Sequence, residues 1–161
     1  MRKIISILII LALVACTKEN QIKLDLKQLA TDLNTLEYID DNNQVKPLFN
    51  NDIITSQEMN RIYNIDSRSM SDVVFSMPKD LDDVSMFIIV LPCKNKTSEV
   101  KNEIDNFFNE YKQEWELYFP REKFLINNRL ESSYADYLIY IVSNDNARVL
   151  NYIKEIVNPN D

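Results

Sequence analysis

Apolar and polar positions alternate along this chain in several distinct rhythms. Ile4 to Val14 is continuously apolar except for Ser6, and Arg2 and Lys3 precede it. The run is shorter than the about 17–25 residues that span a bilayer, and it has the length of a signal-peptide apolar region. Leu26, Leu29, Leu33 and Leu36 recur at spacings of three and four, which predicts an amphipathic helix over 25–37. Asp40-Asp41-Asn42-Asn43 reads as a turn. Pro47 opens an irregular stretch in which Leu48, Phe49, Ile53 and Ile54 tuck into the core. Thr55 or Ser56 then caps a short helix carrying Met59, Ile62 and Tyr63.

Beyond it, Val73, Phe75 and Met77 alternate with other residues as in a half-buried strand ended by Pro78. Met86 to Leu91 is apolar throughout, as a deeply buried strand is, and Pro92 closes it. Thr97 or Ser98 begins the longest predicted helix, to about Phe119. Its stripe is Val100, Ile104, Phe107, Phe108, Tyr111, Trp115 and Tyr118, and Pro120 stops it. Phe124 to Leu130 reads as a third strand and Tyr137 to Val142 as a fourth. Ser143 or Asn144 caps a final helix with Leu150, Ile153 and Ile156 inward.

The order α-α-β-β-α-β-β-α has no βαβ repeat, so the expected class is α+β. The expected architecture is a four-stranded, mostly antiparallel sheet in the order 1-2-4-3. A long helix and a C-terminal helix pack on it, and N-terminal helices precede it. The two continuously apolar strands belong at the centre and the alternating pair at the edges. No internal repeat is visible beyond two hairpin-helix halves. Because the central strands are apolar on both faces, the terminal helices are expected to cover the second face. Left bare, it would be an apolar patch of the kind that marks a partner site.

The first apolar run ends in Leu13-Val14-Ala15-Cys16, which resembles the lipobox of bacterial lipoproteins. The resemblance implies that residues 1–15 are a signal peptide and that Cys16 receives a diacylglycerol thioether. Two acyl chains, at about 0.8 kcal/mol per buried CH₂, hold a protein on a membrane stably. Residues 16–21 are then the lipidated cysteine and a polar tether, and 22–161 a single α+β domain. The expected location is the extracytoplasmic face of the cell membrane, with the membrane itself as first partner through the anchor.

Composition narrows the function. The 161 residues are 45% hydrophobic and 27% charged, as in an ordinary globular domain. There is no Gly, which removes phosphate-cradling and dinucleotide loops and the G-x-S-x-G elbow. There is no His, which removes Ser-His-Asp and Cys-His catalysis and imidazole zinc sites. The chain carries −7, and losing residues 1–15, with Arg2, Lys3 and no acid, makes it −9. A nucleic-acid partner would need the opposite sign.

The remaining candidates each have a plain alternative. With Cys16 lipidated, Cys93 is the only thiol left. Beside Lys94 and Lys96 it reads as an intermolecular disulfide or redox-sensing thiol, or as an inert strand-end cysteine, which its lack of a second Cys or a His favours. Asp80, Asp82 and Asp83, like the stretch Asp40 to Gln44, offer oxygens for Ca²⁺ but lack the ligand alternation and Gly of a calcium loop, so solvated turns are favoured. Carboxylate pairs for glycoside hydrolysis are bound to occur by coincidence among 25 acids. Trp115 fits a core stripe. Tyr118, Tyr134 and Tyr137 flank strands and turns as binding-surface or edge-of-core residues.

Tyr63-Asn64-Ile65-Asp66, the strands near 73–77 and 86–91, Tyr118-Phe119-Pro120-Arg121-Glu122 and Tyr137 to Asp145 together resemble an uncharacterised family of Firmicute lipoproteins. Its C-terminal domain is the domain of unknown function 4358. The resemblance covers roughly 22–157, rests on order and spacing, and implies an anchored α+β lipoprotein with no activity attached. This chain has Asn64 and Ala135 where the family typically has Gly. The expectation is therefore a non-enzymatic module that binds another envelope protein or itself. The rival is a small-ligand or metal-binding lipoprotein accessory to a transporter or sensor. No residue is assigned a catalytic, cofactor or metal role, and Cys16 alone is assigned, to the lipid.

Overall fold

A computed structural model of the chain describes residues 23–115 and 119–157. The proposed signal peptide, Cys16, the tether and Tyr118 lie outside the described residues.

Side-chain caps start three of the described α-helices, and the other two start without one. In α1 (Leu26–Leu33) the Asp25 carboxylate accepts the Gln28 N–H at 3.0 Å, and Leu26, Leu29, Ala30 and Leu33 face inward. α2 (Ser56–Tyr63) has a reciprocal box: the Thr55 hydroxyl accepts the Glu58 N–H, and the Glu58 carboxylate accepts the Thr55 N–H at 2.9 Å. α3 (Thr97–Glu114) buries Val100, Ile104, Phe107 and Phe108. α4 (Pro120–Asn127) follows it, and α5 (Asn146–Val157) closes the described chain. Asp145, rather than Ser143 or Asn144, caps α5, accepting the Arg148 N–H at 3.1 Å.

Strands β1 (Glu37–Ile39) and β2 (Val45–Pro47) form a separate antiparallel ribbon. The main sheet contains β3 (Asn51–Ile53), β4 (Met70–Pro78), β5 (Met86–Pro92), β6 (Leu130–Tyr134) and β7 (Tyr137–Val142). Their order is β3-β4-β5-β7-β6, every neighbour antiparallel. The class is α+β, but the expected single four-stranded sheet is corrected to a five-stranded sheet and a two-stranded ribbon.

Two local readings account for the difference. The stretch after Pro47 holds a short strand, β3, whose Asn51-Asp52 carries no apolar alternation. What fixes it is a long-range bond: the buried Asn51 amide donates to Ser76 Oγ at 2.9 Å and to the Ser85 carbonyl at 2.8 Å. β4 is thereby an interior strand instead of an edge. Residues 124–130 are not a strand. Pro120 opens α4 at its first turn, where a missing N–H costs nothing. The strand begins only at Leu130, in the polar run Leu-Glu-Ser-Ser-Tyr. The long helix correspondingly ends at Glu114, before the expected Phe119.

Successive residues of β4, β5 and β7 serve two cores, as a pleat requires. Phe75, Ile88, Val90, Leu138 and Tyr140 pack under α2 and α3. Val74, Phe87, Ile89, Ile139 and Ile141 pack under α1 and α5. The second sheet face is thus covered by the chain's own terminal helices, as the Leu and Ile content of those segments predicts. The two hairpins send α3 and α5 to opposite faces. A twofold axis relating antiparallel hairpins within one sheet would put both helices on the same face, so the halves are not structural repeats.

Candidate functional site

The aromatic positions on α3 follow a strict spacing of four: Phe107, Tyr111 and Trp115, continued past the helix by Phe119. A step of four overshoots a 3.6-residue turn by about 40°. The series runs along the edge of the core face. Phe107 and Trp115 are buried, Tyr111 between them is half-buried, and Phe119, past the helix, is 41% exposed. Phe107 and Tyr111 stack at 5.5 Å and 18°. Tyr111 meets Trp115 edge-on at 6.0 Å, and Trp115 meets Phe119 at 5.2 Å. At the buried end, Tyr63 from α2 stands edge-on to both Phe75 and Phe107. These contacts lock the rings in the geometries that aromatic quadrupoles prefer.

This ladder is one wall of a groove of about 390 Å³, closed opposite by the end of α2 and the β4–β5 connection. That volume lies within the range of natural ligand pockets. Ile62 and Leu81 form an exposed apolar lip, Leu81 being 96% exposed at the tip of the connection. Four carboxylates rim the groove: Asp80, Asp83, Glu110 and Glu114. No Lys or Arg is among its described lining residues, and none of the four carboxylates is in an ion pair among the described residues.

The acids make themselves felt in the ring hydroxyls. Burial pushes the Tyr111 hydroxyl well above the ordinary tyrosine range; the neighbouring Trp115 indole opposes this, and the charges of Glu114 and Asp83 add to it. Tyr63 is raised too, by burial first and then by Glu58 and Glu114. Both remain neutral phenols near neutral pH. The Trp115 Nε1–H is buried and lies against the Tyr111 oxygen at a geometry short of a full hydrogen bond. The arrangement can attract a cation and lay it against ring faces.

The individually expected site residues fall elsewhere or play other parts. Trp115 is in the core as expected, but its edge also lines the groove. Tyr137 is wholly buried; its hydroxyl accepts the Leu24 N–H at 3.2 Å and pins the segment entering α1. Tyr134 is half-buried against the α1–α5 core. Cys93 is half-buried, and its N–H donates to the Ser69 carbonyl at 2.9 Å. It lines a separate depression of about 720 Å³ with Lys94 and Lys101. Lys96, the other expected neighbour, is ion-paired with Glu99 instead.

Neither acidic turn gathers a cation cage. Asp40 accepts the N–H groups of Asn42 and Gln44, each at 2.9 Å, and pairs with Lys46 at 2.9 Å, so it builds the β1–β2 turn. Asp80 accepts from the Asn50 amide at 3.1 Å, and Asp83 from the Ser85 N–H at 2.8 Å. No group of three or more Cys, Asp or Glu able to hold a metal exists among the described residues. No helix among them is long and apolar enough to cross a membrane.

Residues 40–143 match the family model described as Domain of unknown function (DUF4358). No curated protein and no solved structure matches the chain. The matched span contains the whole main sheet, α2, α3, α4 and every lining residue of the aromatic groove. It leaves out α1 and α5, the two helices of the second face.

Proposed function

The chain belongs to the family of the domain of unknown function DUF4358, and we propose that here the domain is a non-enzymatic binding module of the cell envelope. In this reading Cys16 carries a lipid that holds the module on the extracytoplasmic face of the membrane, and the module engages another envelope protein. The lipobox-like Leu13-Val14-Ala15-Cys16 supports the anchor. The groove supports the binding role. In it an exposed apolar lip, Ile62 and Leu81, adjoins aromatic faces and carboxylates that are in no ion pair among the described residues.

The anchor is tested by feeding cells an alkyne fatty acid and fractionating them. Wild-type protein should carry the label and sediment with membranes, and Cys16→Ser should do neither. Unlabelled, membrane-free wild type would sink this part of the reading. A second reading has its own support in the groove's ligand-sized volume: a small-molecule receptor accessory to a transporter or sensor. A ligand at 100 times its Kd adds about 2.7 kcal/mol of stability. A thermal shift with an amino acid, sugar or ion, lost on Trp115→Phe or Glu114→Gln, would favour it over the protein-binding role.

A further inference from the structure

We propose that the aromatic groove recognises a basic, apolar-flanked peptide segment of a partner protein, with one Lys or Arg side chain lying against the Tyr111–Trp115 rings between Glu110 and Glu114. This rests on the reading of the domain as a protein-binding module and gives that module's partner a chemistry.

Two observations converge on it. The first is charge: Asp80, Asp83, Glu110 and Glu114 rim the groove, none of them in an ion pair among the described residues, and no cation is among its described lining residues. A ring face beside them adds the attraction of its quadrupole for a cation. The second is the lip. Ile62, 55% exposed, and Leu81 extend apolar surface past the cavity, where residues flanking the basic side chain would land and which a simple amine would leave bare.

The chain itself shows the same recognition one helical turn away. Arg129 lies over the Phe108 ring of α3, 4.5 Å from its centroid. Its guanidinium is paired with Asp105 on α3 at 3.6 Å and with Glu131 at 2.6 Å. An α3 aromatic, an α3 carboxylate and a second acid from a neighbouring strand thus already hold an internal arginine. The groove repeats that set of groups with the cation's place left to an outside residue.

The test uses the full lipidated chain in nanodiscs, because Trp115 is the chain's only tryptophan and so reports on the groove. A random displayed-peptide library is selected on the wild type, and enriched peptides are resynthesised and titrated by tryptophan emission. Expected is enrichment of Lys or Arg beside apolar residues, and a saturable emission change. The E110Q/E114Q double variant should weaken binding at least tenfold, and raised salt should weaken it too, since these charges are exposed to screening. Both residues are exposed, so the variant should keep the wild-type Tm.

Enriched peptides without a basic residue that still change Trp115 emission would overturn the proposed chemistry while leaving the protein-binding module standing. Peptides that leave the emission unchanged, or no enrichment, would overturn the groove as the binding site together with its chemistry. Phenethylammonium chloride binding as tightly as the best peptide would overturn the peptide and assign the groove to a small organic cation.

Discussion

A chain without glycine must still turn corners, and five of the described residues have a positive φ: Asn43, Asn64, Asn95, Ala135 and Asp136. Asn and Asp tolerate this region because their short side chains bond locally. Asn64 uses it, at φ 54°, to end α2. Ala135 has no such help. With Asp136 it fills the two-residue β6–β7 turn, at φ 47° and 69°, in which the mirror-image turn suited to strand twist needs positive φ twice. Ala135→Gly should therefore raise stability by about 0.5–1 kcal/mol by chemical denaturation, the relief of left-handed Ala exceeding glycine's added chain entropy. Asn64→Ala should lower it by about 1 kcal/mol. The departure at 135 is visible in the sequence; that Ala135 itself takes the left-handed conformation is not. Electrostatics give a second residue-scale prediction. Hydrogen bonds from the Arg68 side chain, then from its N–H, hold the Asp66 carboxyl at about 2. Its folded value lies below the unfolded one, so its contribution is complete above about pH 4 and is lost as pH falls toward 2. A carbon-detected NMR titration should find that midpoint, and Arg68→Ala should return it toward 3.8.

At the scale of elements, what was legible was whatever local chemistry controls. The Thr55 cap, the start of α3 at Thr97 and the two central strands all follow from nearby residues. Thr55→Ala should cost about 1 kcal/mol, and Glu58→Gln less, because the amide still offers an acceptor to the Thr55 N–H. β3 and β6 were illegible because pairing, not pattern, makes them strands: Asn51 is held by its bonds to Ser76 and Ser85. Pro120 was misread as only a stop because proline ends one helix and begins the next equally well. The groove was half legible. The aromatic stripe of α3 reads as core, and Phe107 and Trp115 are in it; what the spacing does not reveal is that half-buried Tyr111 and exposed Phe119 turn one edge of the stripe into a groove wall. Phe107, where the ladder meets the core, is its keystone. Phe107→Ala should cost about 3–5 kcal/mol by denaturant melt.

Across the whole molecule, the two-sided sheet is why the proposed binding role falls to the groove. Each sheet face is taken by the chain's own helices, and Tyr137, which the sequence allows as a binding-surface or an edge-of-core residue, is buried with its hydroxyl on the Leu24 N–H. About eight residues link Cys16 to Leu24 and can reach at most about 29 Å. Lipidated at Cys16, the domain would thus work close to the bilayer, where envelope partners are. Site-specific photo-crosslinking in the living cell tests the groove as the binding surface, with the photoreactive residue placed at Leu81 on the groove lip or at Ile39 on the β1–β2 ribbon, which does not line the groove. The account predicts a defined adduct with a different envelope protein from position 81, lost in the E110Q/E114Q background and absent from position 39. No adduct from position 81, or the same adducts from both positions, would contradict it.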